Sequence, residues 1–139
     1  MAKILVVEDN ALNIKLFCDL LAAHGHEPEA VTDSREALGV ARAFRPDLVI
    51  TDIQLPHLSG IELMRLVRAD AELAGVPIMA VTAYAAQGDD ERIRAAGAQS
   101  YVSKPISVAR FVEAVEALLE AGRIETKQAE PVDPDSASL

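Results

Sequence analysis

Short β-branched apolar runs alternate along this chain with longer stretches in which apolar residues recur every three to four positions. Ile4-Leu5-Val6-Val7 is the first run, and a helical stretch from Ala11 to His24 follows it. On that helix Leu12, Leu16, Leu20 and Leu21 are expected to form one apolar face, with Phe17 beside them, and Gly25 is a suitable stop. Glu27 to Val31 reads as a weak strand whose Pro28 points to a sheet edge. A second helix is expected from about Ser34 to Phe44, with Ala37, Leu38, Ala41 and Phe44 at helical spacing. Leu48-Val49-Ile50-Thr51 is continuously apolar up to its last residue, as a strand covered on both faces should be.

Ser59 is the expected N-cap of a third helix, with Glu62 at the capping-box position and Leu63, Leu66 and Val67 facing inward. Pro77 to Val81 is a fourth strand, and a helix from about Ala85 to Ala96 ends at Gly97. Ala98 to Val102 is a shorter fifth strand. Ser107 caps a last helix carrying Val108, Phe111, Val112, Val115, Leu118 and Leu119 on one face. Five strand–helix repeats predict an α/β fold with a largely parallel sheet covered on both sides, because parallel strands need crossovers and those are right-handed. The pattern changes after Gly122. Residues 1–122 are expected to form one domain, and Arg123 to Leu139, with two prolines and four acids, reads as a disordered acidic tail.

Composition narrows the function. Of 139 residues, 13 are Lys or Arg and 22 are Asp or Glu, for a formal charge of −9, so no basic stripe exists to bind a phosphate backbone. A nucleic-acid partner is excluded on that ground. One cysteine, Cys18, allows no internal disulfide, in keeping with a reducing compartment. The apolar run at the N-terminus is too short for a signal-peptide core or a membrane span. The reading is a cytoplasmic domain with no membrane partner.

In open parallel sheets ligands sit outside the carboxyl ends of the strands. There the chain places Glu8-Asp9 after the first strand, Asp52 after the third, Thr82 after the fourth and Lys104 after the fifth. Three carboxylates, a hydroxyl and an ammonium therefore converge on one rim. Crowded carboxylates raise each other's pKa unless a cation sits among them, and a hard divalent ion with oxygen ligands, Mg²⁺ above all, suits them. A carboxylate so placed can attack a phosphoryl group to form an acyl phosphate, with Lys104 and Thr82 stabilising the phosphoryl oxygens.

Val7-Glu8-Asp9-Asn10, Asp52 followed by Pro56 and Gly60, Val81-Thr82-Ala83 and Lys104-Pro105 together resemble the two-component response regulator receiver domain, over about Lys3 to Leu119. The likeness extends to stand-alone receivers of the DivK type in Glu8-Asp9-Asn10-Ala11-Leu12-Asn13, Asp52-Ile53-Gln54-Leu55-Pro56 and Ser103-Lys104-Pro105-Ile106-Ser107. Glu8 in place of the commoner Asp and Leu55 in place of the usual Met are departures that remove no needed group. The resemblance implies a doubly wound, flavodoxin-like five-stranded parallel sheet of order 2-1-3-4-5. It implies that Asp52 is the phosphoacceptor, that Asp9 and Asp52 ligate Mg²⁺ directly, Glu8 through water and Gln54 by its main-chain carbonyl. It assigns Thr82, Ala83 and Lys104 to the phosphoryl oxygens, the small Ala83 also leaving room for the donor histidine. Thr82 and Tyr101 become a switch pair, and Lys104-Pro105 is expected to be cis. Implied partners are a histidine kinase or histidine phosphotransfer protein and a downstream effector protein. A monomer is expected, with a dimer left open, and a cell-cycle role rests on the DivK likeness alone.

Each residue also has a bland reading. Glu8 and Asp9 alone would be a helix-capping pair, Asp52 a turn former, Lys104 a surface charge and Tyr101 a half-buried aromatic. Only the joint pattern lifts them. His24, His26, His57 and Cys18 have no zinc spacing. Gln54 and Tyr84 flank the expected phosphoryl position, and Asp89-Asp90-Glu91 suits a helix N-terminus. Among other functions, an Asp-nucleophile phosphatase would need an acid where Gln54 stands. A nucleotide-binding fold would need glycines that Glu8-Asp9-Asn10 lacks. A phosphorelay intermediate and a degenerate receiver acting as scaffold remain the alternatives to a phosphorylation-dependent binding partner.

Overall fold

The computed structural model describes residues 2–83 and 89–129, with side chains through 83 and from 91 to 121. Among the described residues five strands and five helices alternate: β1 Lys3–Val7, α1 Ala11–Ala23, β2 Glu27–Val31, α2 Ser34–Phe44, β3 Leu48–Asp52, α3 Gly60–Ala69, β4 Ile78–Thr82, α4 Asp89–Ala96, β5 Ser100–Ser103 and α5 Val108–Ala129. The strands form one sheet of order β2-β1-β3-β4-β5, and every pairing is parallel. β2, with Pro28 in it, lies at one edge as expected, paired only to β1.

Strand residues alternate between two cores, one per face of the sheet. Leu5, Val7, Val49, Ile78 and Ala80 pack with Ala37 and Ala41 of α2, Leu63, Met64 and Val67 of α3 and Ile93 and Ala96 of α4. Ile4, Val6, Leu48, Ile50, Met79 and Val81 pack with Phe17 and Leu21 of α1 and Phe111, Val115, Leu118 and Leu119 of α5. β3 and β4 are buried at every position, which is why they read as unbroken apolar runs.

Local chemistry sets the ends of the helices. Asn10 caps α1 by accepting from the amides of Leu12 and Asn13, and Gly25, at φ +84°, turns the chain out of it. Ser59 and Glu62 form the expected capping box on α3. Several expectations need correction. Leu66, expected inward, is 42% exposed, because the buried face of α3 is Gly60, Leu63, Met64 and Val67. Val108, expected on the apolar face of the last helix, is 50% exposed as the first residue of α5. The apolar face of α1 is not Leu12–Leu16: Leu12 is 79% exposed and Leu16 39%, and the buried residues are Phe17 and Leu21. What decides between the two faces is the stacking of Phe17 on Phe111 of α5, ring centroids 5.1 Å apart. Nor does helix stop at Gly122, for α5 runs on to Ala129. One internal glycine costs a helix only about 1 kcal/mol relative to alanine, and the following residues Arg123, Glu125, Lys127 and Gln128 are straight-chain helix formers. Residues 85–88 of the expected fourth helix and residues 130–139 of the expected tail lie outside the described residues. No helix among the described residues is long and apolar enough to cross a membrane.

Candidate functional site

Parallel pairing brings the carboxyl ends of β1, β3, β4 and β5 to one rim. Val7 lies beside Thr51, Asp52 beside Val81 and Thr82 beside Ser103. Main-chain bonds carry the register past the strand ends: Ile53 N donates to the Val81 carbonyl at 3.0 Å and Lys104 N to the Thr82 carbonyl at 2.7 Å. The Lys104-Pro105 bond is cis. Beneath the rim, Gly60 donates its amide to the Ile53 carbonyl at 2.9 Å, and a Cβ on it would stand 2.1 Å from the Asp52 carbonyl oxygen. Only glycine allows α3 to start this close to β3. Ser34, itself buried, donates its hydroxyl to the Pro56 carbonyl at 3.1 Å and ties the loop after Asp52 to the start of α2.

Carboxylate oxygens of Glu8, Asp9 and Asp52, one from each, all lie within 4.8 Å of one another. Glu8 and Asp52 are buried, and Asp9 is exposed. Asn10 performs the capping that Glu8 and Asp9 would do in their bland reading, so neither acid is used for it. Glu8 accepts from the Asn10 amide through Oε1 at 3.1 Å, whereas its Oε2 is buried and has no hydrogen-bond partner. Asp52 accepts from the Gln54 amide through Oδ1 at 2.9 Å and from Lys104 Nζ through Oδ2 at 2.6 Å. The turn-forming reading of Asp52 therefore accounts for one of its oxygens only.

Burial pushes the Glu8 carboxyl up; the Asn10 amide opposes this, and the neighbouring Asp52 charge adds to the rise, to about 7. Burial alone would lower the Lys104 ammonium, but its hydrogen bond to Asp52 and the charges of Asp52 and Glu8 outweigh that and hold it above the ordinary lysine value. Its distance to Glu8 Oε2 is 3.7 Å. A single ammonium thus faces two buried carboxylates with a third alongside. An all-oxygen donor set with a buried carboxylate oxygen that no hydrogen bond satisfies fits a hard divalent cation.

Thr82 is buried at the same rim, and Ala83 follows it, exposed. Tyr101 is half-buried against the core under α2–α4, with the guanidinium of Arg94 over its ring at 6.0 Å. Tyr84 lies outside the described residues. Asp33, at the end of the β2 segment, does not join the cluster: it caps α2 and pairs with Arg35. The contributions of Gly60 and Ser34 are packing and hydrogen bonding across the fold. Gly60 carries a sequence signal in its spacing from Asp52, and Ser34 carries none.

The model of the response regulator receiver domain matches residues 4–116, which include every residue of this rim. The chain belongs to that family. Among curated relatives of this receiver, the polar-differentiation response regulator DivK of Brucella anthropi is 50% identical over 116 residues, covering 84% of this chain and 94% of the relative. DivK of Brucella melitensis is 49% identical over the same shares. The solved chemotaxis protein CheY4 of Vibrio cholerae superposes with a TM-score of 0.81 at 28% identity, covering 85% of this receiver and 98% of CheY4. The receiver domain of the sensor histidine kinase PA1611 from Pseudomonas aeruginosa, solved with a magnesium ion coordinated in its active-site cleft, superposes at 0.79 with 34% identity, covering 86% and 98%. The chain is thus a DivK-like receiver with the parallel 2-1-3-4-5 sheet of the CheY-like fold.

Proposed function

We propose that this receiver takes a phosphoryl group onto Asp52 from a phosphohistidine of a histidine kinase or phosphotransfer protein, in a Mg²⁺-dependent reaction. In that step an Asp52 oxygen bonds to phosphorus as the phosphorus–nitrogen bond to imidazole breaks, and the imidazole leaves with the electron pair. Asp9, Asp52, the Gln54 carbonyl and, through water, Glu8 are the residues to hold Mg²⁺, which supplies charge neutralisation of the phosphoryl oxygens. Lys104 pairs with the phosphoryl group once Asp52 is esterified, Thr82 donates its hydroxyl to it, and the small Ala83 leaves room beside it. The observation that carries this reading is the Lys104–Asp52 contact of 2.6 Å inside a cluster where Glu8 Oε2 is buried without a hydrogen-bond partner.

The signal is a population shift in which Thr82 and Tyr101 move together, the Tyr101 ring turning inward, and the altered face selects a downstream effector protein. The protein catalyses only its own phosphorylation and dephosphorylation, as a cytoplasmic monomer. Half-identity with polar-differentiation response regulators supports an output of that kind, in cell-cycle or polarity control.

The test is incubation with Mg²⁺ and acetyl phosphate, read by intact mass, beside Asp52→Asn and an EDTA control. One phosphoryl adduct that requires both Asp52 and Mg²⁺ is expected. Absence of an adduct together with absence of Mg²⁺ binding would overturn the reading and leave a scaffold.

A further inference from the structure

Arg94 lies on the last turn of α4 and Tyr101 on β5, and between them Gln99 is held from several sides. Its side-chain oxygen accepts from the Ile78 amide at 2.8 Å and from Arg68 Nη2 at 2.9 Å, and its amide donates to the Ile78 carbonyl at 3.0 Å. Arg68, reaching across from α3, also bonds the carbonyls of Gly97, Ala74 and Val76. The Gln99 main-chain carbonyl accepts from Arg94 Nη1 at 3.0 Å. Thus Arg94 does not drape over a neighbour by chance: one arm of its guanidinium is fixed to a rigid carbonyl, and its centre stands 6.0 Å from the centroid of the Tyr101 ring.

We infer that Arg94 is a positioning residue that latches Tyr101 in its half-buried position and so sets the resting population of the switch. The inference rests on the proposed role of Tyr101 as the moving aromatic. A guanidinium over a tyrosine face is attractive, and fixing it to Gln99 removes the freedom it would need to follow the ring inward. Contact is made in one state and lost in the other, which is the condition for biasing an equilibrium. Phosphorylation then has to work against the latch. Its removal raises the population of the inward state, and with it the apparent affinity for whatever binds that state.

Beryllofluoride with Mg²⁺ is a non-covalent phosphoryl mimic suited to the test, and the absence of Trp lets tyrosine emission be read. Because the chain has only Tyr84 and Tyr101, a Tyr84→Phe background leaves Tyr101 as the sole reporter. In that background Arg94→Ala is expected to tighten beryllofluoride binding roughly two- to fivefold and to move the free-state emission toward its saturated value. Loss of a cation, from −9 to −10, works in the opposite direction for an anion, and Arg65→Ala is the charge-matched control, expected to bind equally or more weakly. Adding Arg94→Ala to Tyr101→Ala should leave beryllofluoride affinity unchanged, since the ring it holds is gone; this pair, which has no tyrosine to report, is read by titration calorimetry. No binding by the reference protein would defeat the phosphoacceptor reading itself. Normal binding with unchanged or weaker affinity in Arg94→Ala would defeat the latch alone, as would an equal tightening in the absence of the Tyr101 ring.

Discussion

The ammonium of Lys104 stands 2.6 Å from Asp52 Oδ2, joining residues 52 positions apart at the ends of strands that do not touch each other in the sheet. This one cation is shared with Glu8, and removing it leaves buried carboxylates with no counter-charge among the described side chains of the cluster. Lys104→Met is therefore expected to destabilise the metal-free protein by about 1–3 kcal/mol. Most of the loss should be recovered in Mg²⁺. Urea unfolding with EDTA and with Mg²⁺ checks both halves of the statement.

The raised carboxyl of Glu8 predicts a pH dependence with a definite sign. A group that holds its proton more tightly folded than unfolded stabilises below its unfolded value and loses that contribution as pH rises through the folded one. In EDTA, stability should fall between the ordinary glutamate range and about 7. Glu8→Gln should flatten that slope. Urea midpoints at pH 5 and pH 8 measure it, and an equal slope in the variant would remove Glu8 as its source.

Two glycines on the same face of the sheet should respond oppositely to alanine. Gly60→Ala places a Cβ 2.1 Å from the Asp52 carbonyl and 2.7 Å from Ile53 Cα, both backbone atoms that cannot step aside cheaply. A loss of about 1–3 kcal/mol is expected, together with weaker Mg²⁺ binding because Asp52 shifts with it. Gly39, inside α2, has nothing within 4 Å of its Cβ direction, and Gly39→Ala should stabilise by about 0.5–1 kcal/mol. Thermal or urea unfolding of the pair gives the contrast.

Arg68 satisfies carbonyls of the α3–β4 connection and of the turn after α4. Burial lowers its guanidinium below the ordinary arginine value without an acid partner in its bonds, so its hydrogen bonds are with neutral oxygens. Arg68→Ala is expected to cost about 1–3 kcal/mol and to speed hydrogen exchange at the Ile78 amide, whose acceptor Gln99 loses its anchor.

The strands are legible in the sequence because burial on both faces writes continuous apolar runs, and the rim is legible because parallel strands collect their carboxyl ends. Asp52 and Thr82 each close such a run, whereas Lys104 follows the shorter, less buried edge strand β5. Helix faces are harder. Leu12, Leu16 and Leu20 form as good a stripe as Phe17 and Leu21, and the choice depends on Phe111, ninety-four positions further on. Arg68 is written like any polar residue of an amphipathic helix, and its partners at 74, 76, 97 and 99 have no local signature. Gly122 looks like a stop, yet the residues after it favour helix strongly enough to pass it.

The order in which the rim residues occur along the chain has a consequence for biosynthesis. Glu8, Asp9 and Asp52 are all made before the ribosome reaches residue 53, whereas Lys104 comes with the last strand. A nascent chain long enough to pair β1 with β3 therefore assembles its negative charges first and lacks the lysine that offsets them. Docking β5 against β4 delivers that charge, so electrostatic relief at the rim favours completion of the sheet at the moment its final strand becomes available.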